Sequence, residues 1–282
     1  MPSRRSYLAT LAAAGLAGCV GEPPGTASES PTNSPTATTA PGTAPRPDVT
    51  VDAAAVQYAY RHIEQVDWNG IESADGQFVF VTVDAGEADR TPARDAFTLL
   101  TDGEQYDPVE LPHPYVVDLD VPGNAYEPDG SDPDTRGWLA FETPAQLDSE
   151  PVLRLDRDFV PATWRLDTGK ATAAPPEWDW HASAPAAVQP ESAFDITITA
   201  ENVGDGPGTF RGAVNFSYPL YMPKAFDLPL DPGESGTATV EAEIKDADAG
   251  KTIEYGVRTP DGESTVAVTV EDGSATPTTA SE

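Results

Sequence analysis

Short spans in which apolar and polar residues strictly alternate set the tightest limit on what this chain can fold into. Phe194, Ile196 and Ile198 alternate with Asp195, Thr197 and Thr199. Side chains return to the same face of an extended strand every second residue, so this span has one dry face and one wet face. The same grammar recurs elsewhere. Phe78 to Val83 is an apolar run after Asp75-Gly76, the pattern of a core strand leaving a turn. Phe97 to Leu100, Asp102-Gly103 and Tyr106 spell strand, tight turn, strand. Gly137 to Phe141 and Val152 to Leu155 continue the series around Thr143-Pro144. Further on, Asn202 to Gly206 turns the chain, and Thr237 to Ile244 and Ile253 to Val257 add strands. Pro260-Asp261-Gly262 then closes a hairpin into Val266, Val268 and Val270. Residues Ala53 to Ile63 fit two periods, since Val56, Tyr60 and Ile63 also make a helical stripe. Val56, Tyr58 and Tyr60 at alternate places favour a strand.

Many short strands with turn signals between them indicate an all-β chain of antiparallel β-sandwiches. The 282 residues divide by composition. We expect a signal peptide at 1–18, a disordered Pro/Thr/Ser-rich stalk at 19–48 and a first sandwich at 49–169. A linker at 170–183, containing Lys170 to Pro176 (KATAAPP), leads to a second sandwich at 184–271 and a disordered tail at 272–282. The stalk has almost no large apolar residue, so burial cannot offset the entropy of ordering it. Rich in proline, it can extend near 3 Å per residue and reach up to about 80 Å.

The first nineteen residues give the address. Arg4-Arg5 precedes an apolar run from Leu8 to Leu16, which is shorter than the roughly 20 residues a membrane span requires. Ser3 to Leu8 resembles a twin-arginine export signal, with Tyr7 where phenylalanine is commoner. Leu16-Ala17-Gly18-Cys19 resembles the lipobox of prokaryotic lipoproteins. That resemblance implies cleavage before Cys19 and lipidation of its thiol and new amino terminus. Two or more acyl chains anchor stably. The expected location is the extracellular face of the cell membrane, with the membrane as the first partner.

Charge bears on the solvent. The chain carries 47 acidic against 16 basic residues, a formal net charge of −31 and a pI near 4.1. The acids are spread along the whole chain, and its lysines are Lys170, Lys224, Lys245 and Lys251. Such charge repels itself in dilute buffer, but at about 1 M salt the screening length falls to about 3 Å. Acidic, lysine-poor and equipped with a twin-arginine signal, the chain resembles a lipoprotein of a halophilic archaeon. Nucleic acid is excluded as a partner, because phosphate binding needs a basic face. Cys19 is the lone cysteine, so no disulfide forms within one chain.

Residues from about Val49 to Leu166 resemble an immunoglobulin-like domain of unknown function common in prokaryotic lipoproteins. The resemblance rests on Phe97-x-Leu99 before Asp102-Gly103-x-x-Tyr106, and on Gly137 to Pro144, where Thr143 replaces the family's apolar residue. Residues from about Ala184 to Val270 are similar to a cell-adhesion-type immunoglobulin-like module. Thr199 to Asp205 and Leu230 to Ser235 carry that likeness. Together these imply two immunoglobulin-like sandwiches and say nothing of an activity.

No catalytic pattern is intact: the chain lacks a Gly-x-Ser-x-Gly elbow and a His-Glu-x-x-His helix. Gly204 to Gly208 superficially looks like a phosphate loop, but Pro207 and the strand-like Thr209 to Phe216 deny it the helix such a loop must open. His62, His113 and His181 lie in three separate contexts without ligand spacing. Asp129, Asp132 and Asp134 offer carboxylates for a weak cation loop, set against a plain solvated loop. Trp178 and Trp180 face one side of an extended segment, either as a sugar-stacking platform or as rings that pack against the neighbouring domain or cap the sandwich. Tyr218 to Pro223 is a loop with exposed-looking aromatics, and Asn215-Phe216-Ser217 is the one glycosylation sequon, at Asn215. The expected function is a non-enzymatic, monomeric binding or adhesion module, without a cofactor, for an envelope protein or glycan. The rivals are a passive structural envelope protein and a hydrolase with its site between the domains.

Overall fold

The alternating spans do form strands. The computed structural model describes residues 48–65, 68–101, 103–129, 134–156, 161–216, 222–245 and 248–272. The expected signal, the stalk up to residue 47 and the tail beyond residue 272 lie outside them. The one helix whose residues are all described is a single 3-10 turn at Arg94–Ala96, and no helix among the described residues is long and apolar enough to cross a membrane.

The first half packs two sheets face to face. One runs β5 (Val116–Val117), β1 (Thr50–Gln65), β2 (Trp68–Asp84) and β6 (Arg136–Thr143). The other runs β4 (Glu104–Tyr106), β3 (Phe97–Thr101), β7 (Val152–Leu155) and β8 (Ala162–Arg165). Val79, Val81 and Val83 of β2 point between the sheets and pack with Phe97, Leu99, Leu139 and Phe141. Phe78 and Phe80 point the other way, into a second cluster with Tyr60 and Trp138, covered by Val109, Leu111, Leu119 and Val121 of the 107–125 segment. With both faces covered, every side chain from Phe78 to Val83 is dry, which is why this span reads as a run rather than an alternation. Each fully buried Phe or Val there contributes roughly 1.5–3 kcal/mol.

The second half repeats the plan with a three-stranded sheet, β14 (Ser235–Glu243), β11 (Ala193–Asn202) and β9 (Trp178–Ser183). Its partner has five strands: β10 (Ala187–Val188), β16 (Gly262–Val270), β15 (Thr252–Thr259), β12 (Gly208–Phe216) and β13 (Lys224–Leu230). Phe194, Ile196 and Ile198 all enter the shared core. All ladders are antiparallel except the short β10–β16 pairing, and residues 259–262 close the β15–β16 hairpin as its turn residues require.

Two features depart from the sequence expectations, and the expected turn at residues 202–206 has a tertiary cause. Asp75-Gly76 is not a turn between strands but an excursion inside β2. Gln57 pairs with Phe78 and Ala59 with Ser73, so four residues of β2 bulge opposite Tyr58 alone. Glu142 Oε1 accepts from the Asp75 N–H at 3.0 Å, and the Gln77 amide donates to Pro144 O and Ala171 O, both at 3.0 Å. Next, the expected linker is packed structure. Ala171 is fully buried in the first core and its carbonyl also accepts from Leu147 N–H. Trp178 to Ser183, expected within the linker, are strand β9. Finally, Gly206 is glycine because a Cβ there would overlap the Ala174 carbonyl, which holds the 202–206 turn against the incoming chain. Asn202 organises that turn, its amide donating to Gly206 O at 2.8 Å and Leu230 O at 3.1 Å.

The described residues from 48 onward form one compact unit. The β1–β2 hairpin is what joins its halves. Sixteen and seventeen residues long, its strands outrun the first sandwich, and the distal end lies on the five-stranded sheet of the second.

Candidate metal centre

The hairpin end carries two kinds of polar chemistry. At the joint, Arg61 is nearly buried and donates to Asp227 at 2.7 Å, to Phe226 O at 3.2 Å and to Asp118 at 3.0 Å. Burial opposes its charge, but the hydrogen bonds and charges of Asp227 and Asp118 outweigh that and raise its pKa above the ordinary value. Arg211, also nearly buried, reaches back to Asp120 at 2.9 Å. Asn69 and Asn215 make a two-way clasp: Asn69 N–H donates to Asn215 Oδ1 and Asn215 Nδ2 donates to Asn69 O, each at 2.9 Å.

That clasp corrects the reading of Asn215 as a glycan acceptor. Its side chain is fully buried and its amide nitrogen is committed to Asn69, so this fold has no room for a sugar there. Asn215→Ala would leave the buried N–H and C=O of Asn69 unpaired. We expect a loss of about 2 kcal/mol of stability, read from denaturant unfolding, and an unchanged midpoint would contradict the clasp.

One residue after Arg61, on the opposite face of β1, three side chains converge. One ligating atom each from His62, Glu72 and His113 lie within 4.8 Å of one another. His62 sits on β1 opposite Gly70 of β2, and Glu72 lies diagonally across the same pair, opposite Tyr60. His113 arrives from the covering segment between Pro112 and Pro114, whose rings restrict the backbone around it. The imidazoles of His62 and His113 stack with centroids 3.4 Å apart and planes 1° apart. Glu72 Oε2 lies 3.3 Å from His113 Nε2. His62 is buried and held against Gly70, where a Cβ would overlap its ring. Burial first, and His113 next, push the His62 pKa down. Its Nδ1 and the Tyr60 hydroxyl, two residues earlier on the same face, are both buried without a hydrogen-bond partner. Such orphans are rare in a settled interior.

The other expected sites are dispersed. Asp132 lies outside the described residues. Asp129 and Asp134 join no group of three ligands among the described residues, and Asp134 Oδ1 instead accepts from Arg136 N–H at 3.0 Å. Trp178 and Trp180 do share a face, and that face is the core: their rings pack on Phe210 with centroids 5.3 and 5.9 Å apart. Residues 217–221 of the aromatic loop, and Arg4, Arg5 and Cys19, lie outside the described residues. His181 is exposed on β9, away from the other two histidines. The triad itself went unread in the sequence because its members are ten and forty-one residues apart, on a hairpin and a crossing loop. The legible clue was a histidine between two prolines.

No family model and no curated protein matches this chain. Among solved structures it is similar to a β-glucosidase from Listeria innocua in complex with isofagomine, at a TM-score of 0.28 and 16% identity, over 34% of this chain and 16% of that one. A second likeness, at a TM-score of 0.27 and 15% identity, is to an alkylpurine DNA glycosylase from Pseudomonas fluorescens bound to DNA containing an abasic site analog. It covers 34% of this chain and 31% of that one. The chain thus spans well under half of either protein, and likenesses this slight carry no argument about activity.

Proposed function

We propose that this protein is a non-enzymatic binding or adhesion module, displayed on the outer face of the membrane by a lipid on Cys19. The observation that supports this reading best is the joint. Arg61, Arg211 and the Asn69–Asn215 clasp fix one sandwich against the other through nearly buried polar side chains. A rigid pair of sandwiches on a long spacer presents its surface in one fixed geometry, which lowers the ordering cost of binding. The two sandwiches are read as immunoglobulin-like, and the acidic surface as adapted to concentrated salt.

Cys19→Ser should move the protein from the membrane fraction to the medium in a halophilic host, as followed by fractionation and blotting. Retention in the membrane would refute the anchor. The released variant then serves as bait on solubilised envelope membranes in high salt. One stoichiometric partner or glycan supports a binding module, and an empty bait points to the passive structural role.

A further inference from the structure

We infer that His62, Glu72 and His113 form a binding site for one divalent transition-metal ion of the zinc class. The inference is independent of the display reading above. Its first support is the ligand set. Two imidazoles and one carboxylate suit zinc and its neighbours, whereas calcium and magnesium select oxygen donors alone. The chain is rich in carboxylates, but among the described residues this is the one group of three ligands in which nitrogen donors join one.

Geometry is the second support. Tetrahedral zinc with nitrogen ligands at about 2.0–2.1 Å holds those nitrogens about 3.4 Å apart. One ligating atom from each of the three side chains already lies within 4.8 Å of the others, and Glu72 Oε2 is 3.3 Å from His113 Nε2. Parallel rings cannot both aim a lone pair at one ion, so one must tilt. His62 is pinned by burial and by Gly70, whereas the His113 side chain is 33% exposed and the Glu72 side chain 38%. The movable ligands are therefore the outer two, closing onto a fixed inner histidine.

The third support is the orphaned chemistry. A buried, partnerless polar atom such as His62 Nδ1 is destabilising. An ion on the two imidazoles turns their contact into a bond. It also ties the 107–125 segment, which covers the outer face of β1, β2 and β6, to the hairpin that reaches the second sandwich. The positive charge of Arg258 on β15 would oppose a cation, and its pairing with Glu263 at 3.1 Å blunts that opposition.

The test is a titration of the whole exported chain with zinc chloride in concentrated potassium chloride and excess magnesium, which saturates surface carboxylates. Binding is followed by calorimetry and by the imidazole NMR resonances. We expect one equivalent to bind, shifting the rings of both His62 and His113 and raising the melting temperature. His113→Ala and Glu72→Gln, both at partly exposed side chains, should each weaken binding at least about tenfold. His181→Ala should bind as the parent does. Zinc uptake equal in the parent and both variants, an unmoved His62 ring, or dependence on His181 would each overturn the site.

Discussion

Asp118→Asn combined with Asp227→Ala should cost about 3 kcal/mol of stability, while Arg61→Met should cost far less. The asymmetry comes from where the charges sit. Arg61 has only 2% of its side chain exposed, whereas Asp118 and Asp227 are 59% and 45% exposed. Remove both negative charges and a buried guanidinium remains with neutral acceptors alone, the Phe226 carbonyl and the amide oxygen that replaces the Asp118 carboxylate. Remove the guanidinium and both carboxylates turn to water, while the methionine stem fills much of the vacated space. The cost sits at the low end for buried pairs because the acids are already partly solvated. Asparagine replaces Asp118 because its φ is +55°, a conformation asparagine tolerates. Guanidinium chloride unfolding in concentrated salt measures both variants. Equal losses would show that the joint is held by packing and not by the ion pairs. The high salt matters, since buried pairs are screened far less than surface ones.

Phe210→Ala should be costlier still, at about 3–5 kcal/mol. Phe210 is fully buried, and its ring supports Trp178 and Trp180 on one side and Phe226, at 6.0 Å, on the other. Its loss leaves a cavity beneath both tryptophans, so their fluorescence should shift to the red as water reaches them. A free sugar platform would not depend on a residue below it. Unmoved emission in Phe210→Ala would therefore restore the platform reading of Trp178 and Trp180.

Those two tryptophans show how far a strand pattern can be read. Their alternation placed both rings on one face, which is a local consequence of the pleat. Whether that face met solvent or Phe210 depended on a strand thirty residues away. Asp75-Gly76 is the converse case. Its composition is that of a turn, yet the ladder resumes on both sides, because Phe78 to Val83 gains more by staying in register between two covered faces than the bulge costs. Asn215 carried a sequon in its sequence and a clasp in its structure, since a three-residue pattern does not report burial.

The sequence by itself determined the strand class, the antiparallel hairpins at residues 97–106 and 259–262, and the division into an apolar interior and an acidic surface. These follow from period-two patterning and turn chemistry, which act between near neighbours. Only the tertiary structure decided that the linker packs, that one long hairpin joins the halves, and that His62, Glu72 and His113 meet. Those outcomes rest on register and on side-chain pairing between residues as far as 166 positions apart or more, as Arg61 and Asp227 are at 166 and Ser73 and Pro260 at 187. No local preference specifies such a contact, because it forms only when both cores have already fixed the strands that carry it.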